Sequence, residues 1–293
     1  MLTVSNLHIY PIKSLGGISV PEAIIEEKGF RYDRRFMLVT PSGNFMTQRT
    51  NHHMALIDVT VTGSALHVWH RNRPDNVLIM PLTVKPEASG ETIPVSIWDN
   101  ENLPATLVGS DAARWFSDAL EKPCRLVFMP GSTRRPVDPT YDRRDDPSRP
   151  TAVSFADGYP YLLIGQASLR DLNQRLPHPV SMGRFRPNIV ISGSLPYDED
   201  AWGQFRIGEV NFYGVKPCGR CVVTTIDPAT GQKGHEPLHT LATYRRWKHK
   251  ILFGQNVLAD AGANGLLRVG QAVEIVSRVK PWLAPPAAMT NQN

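Results

Sequence analysis

The chain has 293 residues, 41% hydrophobic and 20% charged, with a formal net charge of +5, a balance that fits a globular protein of about two domains. No apolar run approaches the ~20 residues of a membrane span, no dense Lys/Arg tract marks a nucleic acid polymer as partner, and no basic-then-apolar leader opens the chain, so the expectation is a cytoplasmic protein. Its three cysteines, Cys124, Cys218 and Cys221, are too few and odd in number for a secreted disulfide framework.

Residues 2–10 alternate as a strand, 11–17 form a loop, and 18–26 resume as a strand. A polar, arginine-rich turn over 29–35 leads to a strand at 36–40. The turn at 41–44 returns the chain into 45–48. Further strands are expected at 55–61, 65–70, 76–80 and 92–98. Turn residues separate them at short intervals, the pattern of a barrel or sandwich and not of repeated βαβ units. Residues 110–120 read as an amphipathic helix capped by Ser110. Residues 124–129 read as a buried strand, with Cys124 a small core residue. Residues 134–150, rich in Arg, Asp and Pro, are expected to be a long exposed loop between the two halves. Within it Arg134, Arg135, Arg143 and Arg144 read as solvated, balanced by Asp138, Asp142, Asp145 and Asp146.

The second half offers a strand at 161–164 and an amphipathic helix at 166–176 stopped by Pro177. Arg184, Arg186 and Asn188 lead into a strand at 189–192. They suit an anion, or a loop arginine among them pairs with Asp198 or Glu199. A hairpin over 205–207 and 210–213 runs towards the remaining cysteines. A helix at 238–248, a strand at 273–276 and a frayed tail from 281 complete the chain.

The stretch 216–231 carries the most chemistry. Lys216-Pro217-Cys218-Gly219-Arg220-Cys221 sets two thiols beside two cations, which favour thiolate, the nucleophilic and metal-binding form. The β-branched run 222–226 reads as a buried strand leaving that loop, and 227–231 as the turn ending it. Four uses of the thiols compete. Cys218, Cys221, His235 and His239 have the C-x2-C-x13-H-x3-H spacing of a zinc site, although Pro237 interrupts the histidine pair. Cys218 and Cys221 also have the C-x-x-C spacing of a dithiol oxidoreductase, without the helix that lowers a thiol pKa in such motifs. They also read as two buried thiols with no chemistry. The fourth use is one thiolate on a soft redox metal held mainly by an organic cofactor, whose phosphate would need donors such as Lys13, Ser14, Arg34, Arg35, Arg184, Arg186, Asn188 and Arg220.

Residues 216–231 resemble the motif of the MOSC domain. Ile9-Tyr10-Pro11-Ile12-Lys13-Ser14, the stretch 29–39 and Thr47-Gln48-Arg49 resemble the β-rich domain that precedes it. Phe185-Arg186-Pro187-Asn188-Ile189-Val190 and Leu252-Phe253-Gly254-Gln255-Asn256 are similar to further blocks of the family. The resemblance covers nearly the whole chain and is nearest to the amidoxime-reducing components. It implies a mostly β fold with a few helices (α+β): an N-terminal β-rich domain over 1–130, a MOSC β-barrel over 131–280 and a flexible tail over 281–293.

The resemblance also implies a molybdenum cofactor (Mo-molybdopterin) and reduction of N-hydroxylated compounds such as hydroxylamines, amidoximes and N-hydroxylated bases, with no pyridoxal phosphate. Cys221 matches the family's metal ligand and the catalytic position. Lys13, Ser14, Arg186, Asn188 and Arg220 match cofactor contacts, and a further arginine falls at Arg34 or Arg35. Gly158 and Tyr159 align with another contacting pair but differ from it in residue type. The ferredoxin domain of some bacterial members has no counterpart here, so electrons are expected from a separate flavin or iron–sulfur protein. The mitochondrial members' targeting and anchor segment has none either. Asp227 reads as a turn residue rather than a proton relay. A cofactor or sulfur carrier without turnover is the alternative.

Overall fold

The computed structural model describes residues 1–84, 91–141, 144, 151–260, 264–284 and 286. Among them the protein is mostly β, with three α-helices at Ser110–Leu120, Gln166–Arg175 and Leu238–Tyr244. The strands form one sheet of nine, one of four and two of three. Within the described residues no helix is long and apolar enough to cross a membrane.

The large sheet runs in the order Val273–Arg278, Trp202–Ile207, Val210–Arg220, Lys250–Ala259, Tyr161–Gly165, Ile189–Ser192, Thr3–Ile9 and Ile18–Val20. Its parallel pair, Tyr161–Gly165 with Ile189–Ser192, is joined through the helix Gln166–Arg175, as a parallel crossover requires. The first strand of the chain pairs with Ile189–Ser192, so the sheet draws together residues from both expected domains. The strand Glu22–Glu26 likewise pairs with Leu266–Arg268. This interleaving sets residues near position 13 beside residues near position 188.

One core lies on the large sheet, with Leu7, Ile9, Phe30, Tyr161, Trp202, Phe205 and Phe212 fully or nearly buried. A second lies among Phe36, Leu38, Met54, Leu66, Val68, Phe116 and Leu126 in the N-terminal half. The alternation of Ala65–His70 explains its place, because every second residue is buried.

Several expectations are corrected. Pro21 divides the 18–26 segment into Ile18–Val20 and Glu22–Glu26. Ser110 is the first helical residue and not the cap; Gly109, at φ 117°, turns the chain into the helix. The helix at 238 ends at Tyr244, because Arg246–Trp247 already pairs with the following strand. The start of the expected tail is packed: the Trp282 ring lies 4.3 Å from Trp247 and 5.8 Å from Tyr141. Positions 285 and 287–293 lie outside the described residues, as do Asp142, Arg143, Asp145 and Asp146.

Candidate active site

The expected buried strand after Cys221 is instead a 3-10 turn, Val222–Thr225, with Val222 exposed. Thr224 N and Oγ1 both donate to the Cys221 carbonyl, at 3.1 and 3.0 Å, and Thr225 Oγ1 donates to the Val222 carbonyl at 2.8 Å. These local bonds outcompete a sheet ladder, so β-branching at these four residues misleads. The strand instead contains Cys218 and ends just before Cys221. Val210–Arg220 pairs with Lys250–Ala259, its register broken around Val215 and Cys218, which accommodates Pro217. Cys221 therefore sits where a long strand ends and the chain turns.

Cys221 lines a cavity together with Lys13, Ser14, Arg34, Arg186, Asn188 and Arg220, which brings onto the same walls every cofactor or metal position the resemblance implies except Arg35. That residue points away, donating to the Met129 carbonyl at 3.0 Å and lying 3.7 Å from Glu26. Of the two arginines, Arg34 lines this cavity and Arg35 does not. Gly158 and Tyr159 also line the cavity. Five lining side chains, Lys13, Arg34, Arg49, Arg186 and Arg220, are cationic against one carboxylate, Asp157. Such an excess suits an anionic ligand.

The cations are held in fixed poses. Arg34 donates to Asp33 at 2.7 Å, to Asn188 Oδ1 at 3.1 Å and to the Arg186 carbonyl at 3.3 Å. Arg186 donates to the Leu15 carbonyl at 2.7 Å. The Tyr10 ring lies between these two guanidiniums, 4.3 Å from each. Ser14, Arg34 and Arg186 have φ of 66°, 48° and 55°. Left-handed backbone is costly for such residues, and three such cases converge on this one cavity. Asn188 is buried, and its amide binds the protein itself: Oδ1 accepts from Arg34 and from Leu162 N, and Nδ2 donates to the His8 carbonyl.

Lys13 is buried and donates to the Phe155 carbonyl at 2.8 Å and to Asp157 at 2.5 Å. Burial pushes its pKa down to about 8, against the pull of Asp157. Burial also pushes Arg186 down, to about 10. Arg220 donates to Cys218 Sγ at 3.1 Å and to the Phe185 carbonyl at 2.6 Å, so Cys218 orients the cation beside Cys221.

Sequence reasoning missed three residues here. Arg49 and Asp157 are cavity-lining partners at 3.3 Å. Thr47-Gln48-Arg49 carried a signal in its resemblance to a family block; Asp157 carried none. Arg135, read as solvated, is buried and donates to the carbonyls of Ser154, Ala156 and Asp157, holding the segment that carries Asp157. Arg144 is buried as well.

The zinc arrangement is not assembled. His235 and His239 line a different depression from Cys218 and Cys221, and among the described residues no three His, Cys, Asp or Glu form a metal-binding group. Asp227 lines that second depression, pairs with Arg184 at 3.1 Å and accepts from Ala229 N, as a turn residue does. Arg184 thus pairs with Asp227 and not with Asp198 or Glu199.

Residues 1–123 match the model of the MOSC N-terminal beta barrel domain, and residues 150–274 match that of the MOSC domain. The chain belongs to the MOSC family. Among its relatives, mitochondrial amidoxime-reducing component 1 of Mus musculus is 37% identical over 94% of this chain and 83% of that protein. The Homo sapiens protein of that name is 34% identical over the same shares. Molybdenum cofactor sulfurase of Oryza sativa subsp. japonica is 36% identical over 86% of this chain but only 32% of its own length. This MOSC chain therefore has a molybdenum-cofactor-related function.

The residues fit a phosphate-bearing pterin. Arg186 Nη2 and Arg220 Nε are buried without a hydrogen-bond partner, so these cavity-lining arginines have donors to spare, and Cys221, which carries a soft thiol, lines the same cavity.

Proposed function

We propose that the protein is a molybdenum-cofactor-dependent reductase of N-hydroxylated compounds, with Cys221 as the metal's protein ligand. The observation that carries this reading is the thiol of Cys221 on the wall of a five-cation cavity with unpartnered arginine donors. When bound, the cofactor supplies two-electron redox chemistry at nitrogen–oxygen bonds. The protein's part is to bind and orient. Lys13, Arg186 and Arg220 would neutralise the pterin phosphate. Arg34 and Asn188 hold Arg186 and the 186–188 backbone in place. Cys218 fixes Arg220, and Ser14 offers its hydroxyl at the cavity wall. Conversion of R–NHOH to R–NH2 and water consumes two electrons and two protons; a separate flavin or iron–sulfur protein supplies the electrons and solvent the protons.

Metal analysis and activity test this together. Purified protein should carry near-stoichiometric molybdenum and consume an amidoxime or hydroxylamine with reduced methyl viologen. Cys221→Ser should lose both metal and activity while keeping its unfolding midpoint, and Cys218→Ser should be milder. Equal loss from both substitutions points instead to a dithiol. The match to a sulfurase supports a second reading, cofactor carriage without turnover. Molybdenum retained with no substrate consumed under any donor would favour it.

A further inference from the structure

Arg246, Lys248, His249 and Lys250 are all exposed, at the hairpin between Arg246–Trp247 and Lys250–Ala259. Among the described residues Arg246, Lys248 and Lys250 have no ion-pair partner; Lys248 Nζ only overlies the Trp247 ring at 4.5 Å. The hairpin adjoins the thiol loop. Ile251 pairs with Arg220 on one side and with Arg246 on the other. At strand spacing, the Arg246 backbone lies about 10 Å from that of Arg220. The Lys250 stem runs along Gly219, where a Cβ would meet its Cδ at 3.6 Å. The base of the hairpin is anchored: Leu252 N donates to the Arg245 carbonyl at 2.9 Å, and buried Arg245 pairs with Asp200. The cations are thus presented on a fixed frame, one strand from the residue before Cys221.

We propose that this hairpin is the docking surface for the electron-donor protein, and that the donor presents an acidic face around its redox group. The inference rests on the reductase reading. Each turnover needs two electrons delivered near Cys221, and unpaired cations beside that point attract and orient an acidic carrier. Three cations on one hairpin tip are fewer than the 6–10 phosphate contacts of a typical nucleic-acid track. The tip also has no exposed apolar cluster to enter a lipid surface.

The test uses the molybdenum-loaded full chain and a variant combining Arg246→Glu, Lys248→Glu and Lys250→Glu. The probes are two acidic carriers, a plant-type [2Fe–2S] ferredoxin and a flavodoxin, with binding measured by calorimetry at low and high salt. At least one carrier should bind the wild type in a salt-sensitive way. The variant should bind it at least about tenfold more weakly, while amidoxime reduction with methyl viologen and the unfolding midpoint stay unchanged. Unaltered carrier binding in the variant overturns the docking assignment, as does failure of the wild type to bind either carrier. Binding of an oligonucleotide or an anionic vesicle in their place, lost in the variant, overturns it too. Failure of the wild type to turn over with methyl viologen overturns the reductase reading itself. The single variant Lys248→Glu, at the exposed turn, gives the same readouts with less perturbation.

Discussion

Lys13 Nζ donates to Asp157 Oδ1 at 2.5 Å, joining a buried lysine to a carboxylate on the cavity wall. The other Asp157 oxygen accepts from Arg49 at 3.3 Å. Desolvation pulls the Asp157 carboxyl up, but Lys13, Arg49 and Arg34 outweigh it and hold the group well below its ordinary value. The carboxylate is therefore charged at every working pH, and the titrating partner is Lys13. Burial places that lysine at about 8, below its ordinary 10.5.

An anion that relies on Lys13 should accordingly be held below pH 8 and released as pH rises through it. Pyrophosphate titrated calorimetrically into the cofactor-free protein should lose about tenfold in affinity one pH unit above the lysine pKa. Lys13→Arg should flatten the profile, because a guanidinium stays charged. Asp157→Asn should move the fall to lower pH, since the carboxylate is what raises the lysine. A wild-type profile flat from pH 6 to 10 would remove Lys13 from the anion site.

Tyr10 organises the two arginines. Its buried ring lies 4.3 Å from both guanidinium carbons, and its hydroxyl donates to the Pro187 carbonyl at 3.1 Å. Tyr10→Phe loses only the hydroxyl bond and should cost about 1 kcal/mol in urea unfolding. Tyr10→Leu also loses two cation–π contacts and ring volume and should cost about 2–4 kcal/mol. The leucine variant should bind pyrophosphate more weakly than the phenylalanine variant. Equal costs would mean that the ring contributes nothing beyond its hydroxyl.

These residues also show what the sequence could reveal. The strands at 3–9, 65–70 and 92–97 and the helices at 110 and 166 follow from alternation and helical periodicity, which burial on one face enforces. The strand Lys250–Ala259 was not foreseen, although it is central. It lies inside the large sheet with seven of its ten residues buried, in runs of four and three, so the two-residue alternation that marks a half-exposed strand is absent. Lys13, Arg186 and Cys221 stand in motifs that the sequence displays, and all three line one cavity. Asp157 and Arg135 were not legible, because their roles arise only when segments far apart in the chain meet. The turn after Cys221 defied its composition because two threonine hydroxyls took the carbonyls that a ladder would have used.

Arg245 and Asp200 form a buried ion pair behind the docking hairpin, with Arg245 also 4.3 Å over the Tyr197 ring. Arg245→Met leaves the Asp200 carboxylate buried without its cation and should cost about 3–5 kcal/mol in denaturant unfolding. The double variant Arg245→Met with Asp200→Leu should recover much of that loss. A single variant within 1 kcal/mol of wild type, by the same scale, would show that Asp200 finds another partner.

Glu199 sits beside that pair with no solvent exposure, accepting from Ser168 Oγ at 2.7 and 2.9 Å and from Gly165 N at 3.0 Å. Burial, then the Asp200 carboxylate, pushes its pKa up to about 7 from an ordinary 4.5. Between those values the folded chain holds a proton that the unfolded chain has released. Its contribution to stability is thus fully present below pH 4.5 and is lost as pH rises through 7. Unfolding free energy measured in urea should fall by about 1–3 kcal/mol over that interval on account of this group. Glu199→Gln keeps an acceptor for Ser168 and Gly165 but cannot ionise, so its profile should be flatter and its stability at pH 8 no lower than wild type. If the two profiles run parallel from pH 5 to pH 8, Glu199 is ionised throughout and Ser168 and Gly165 suffice to hold the charge.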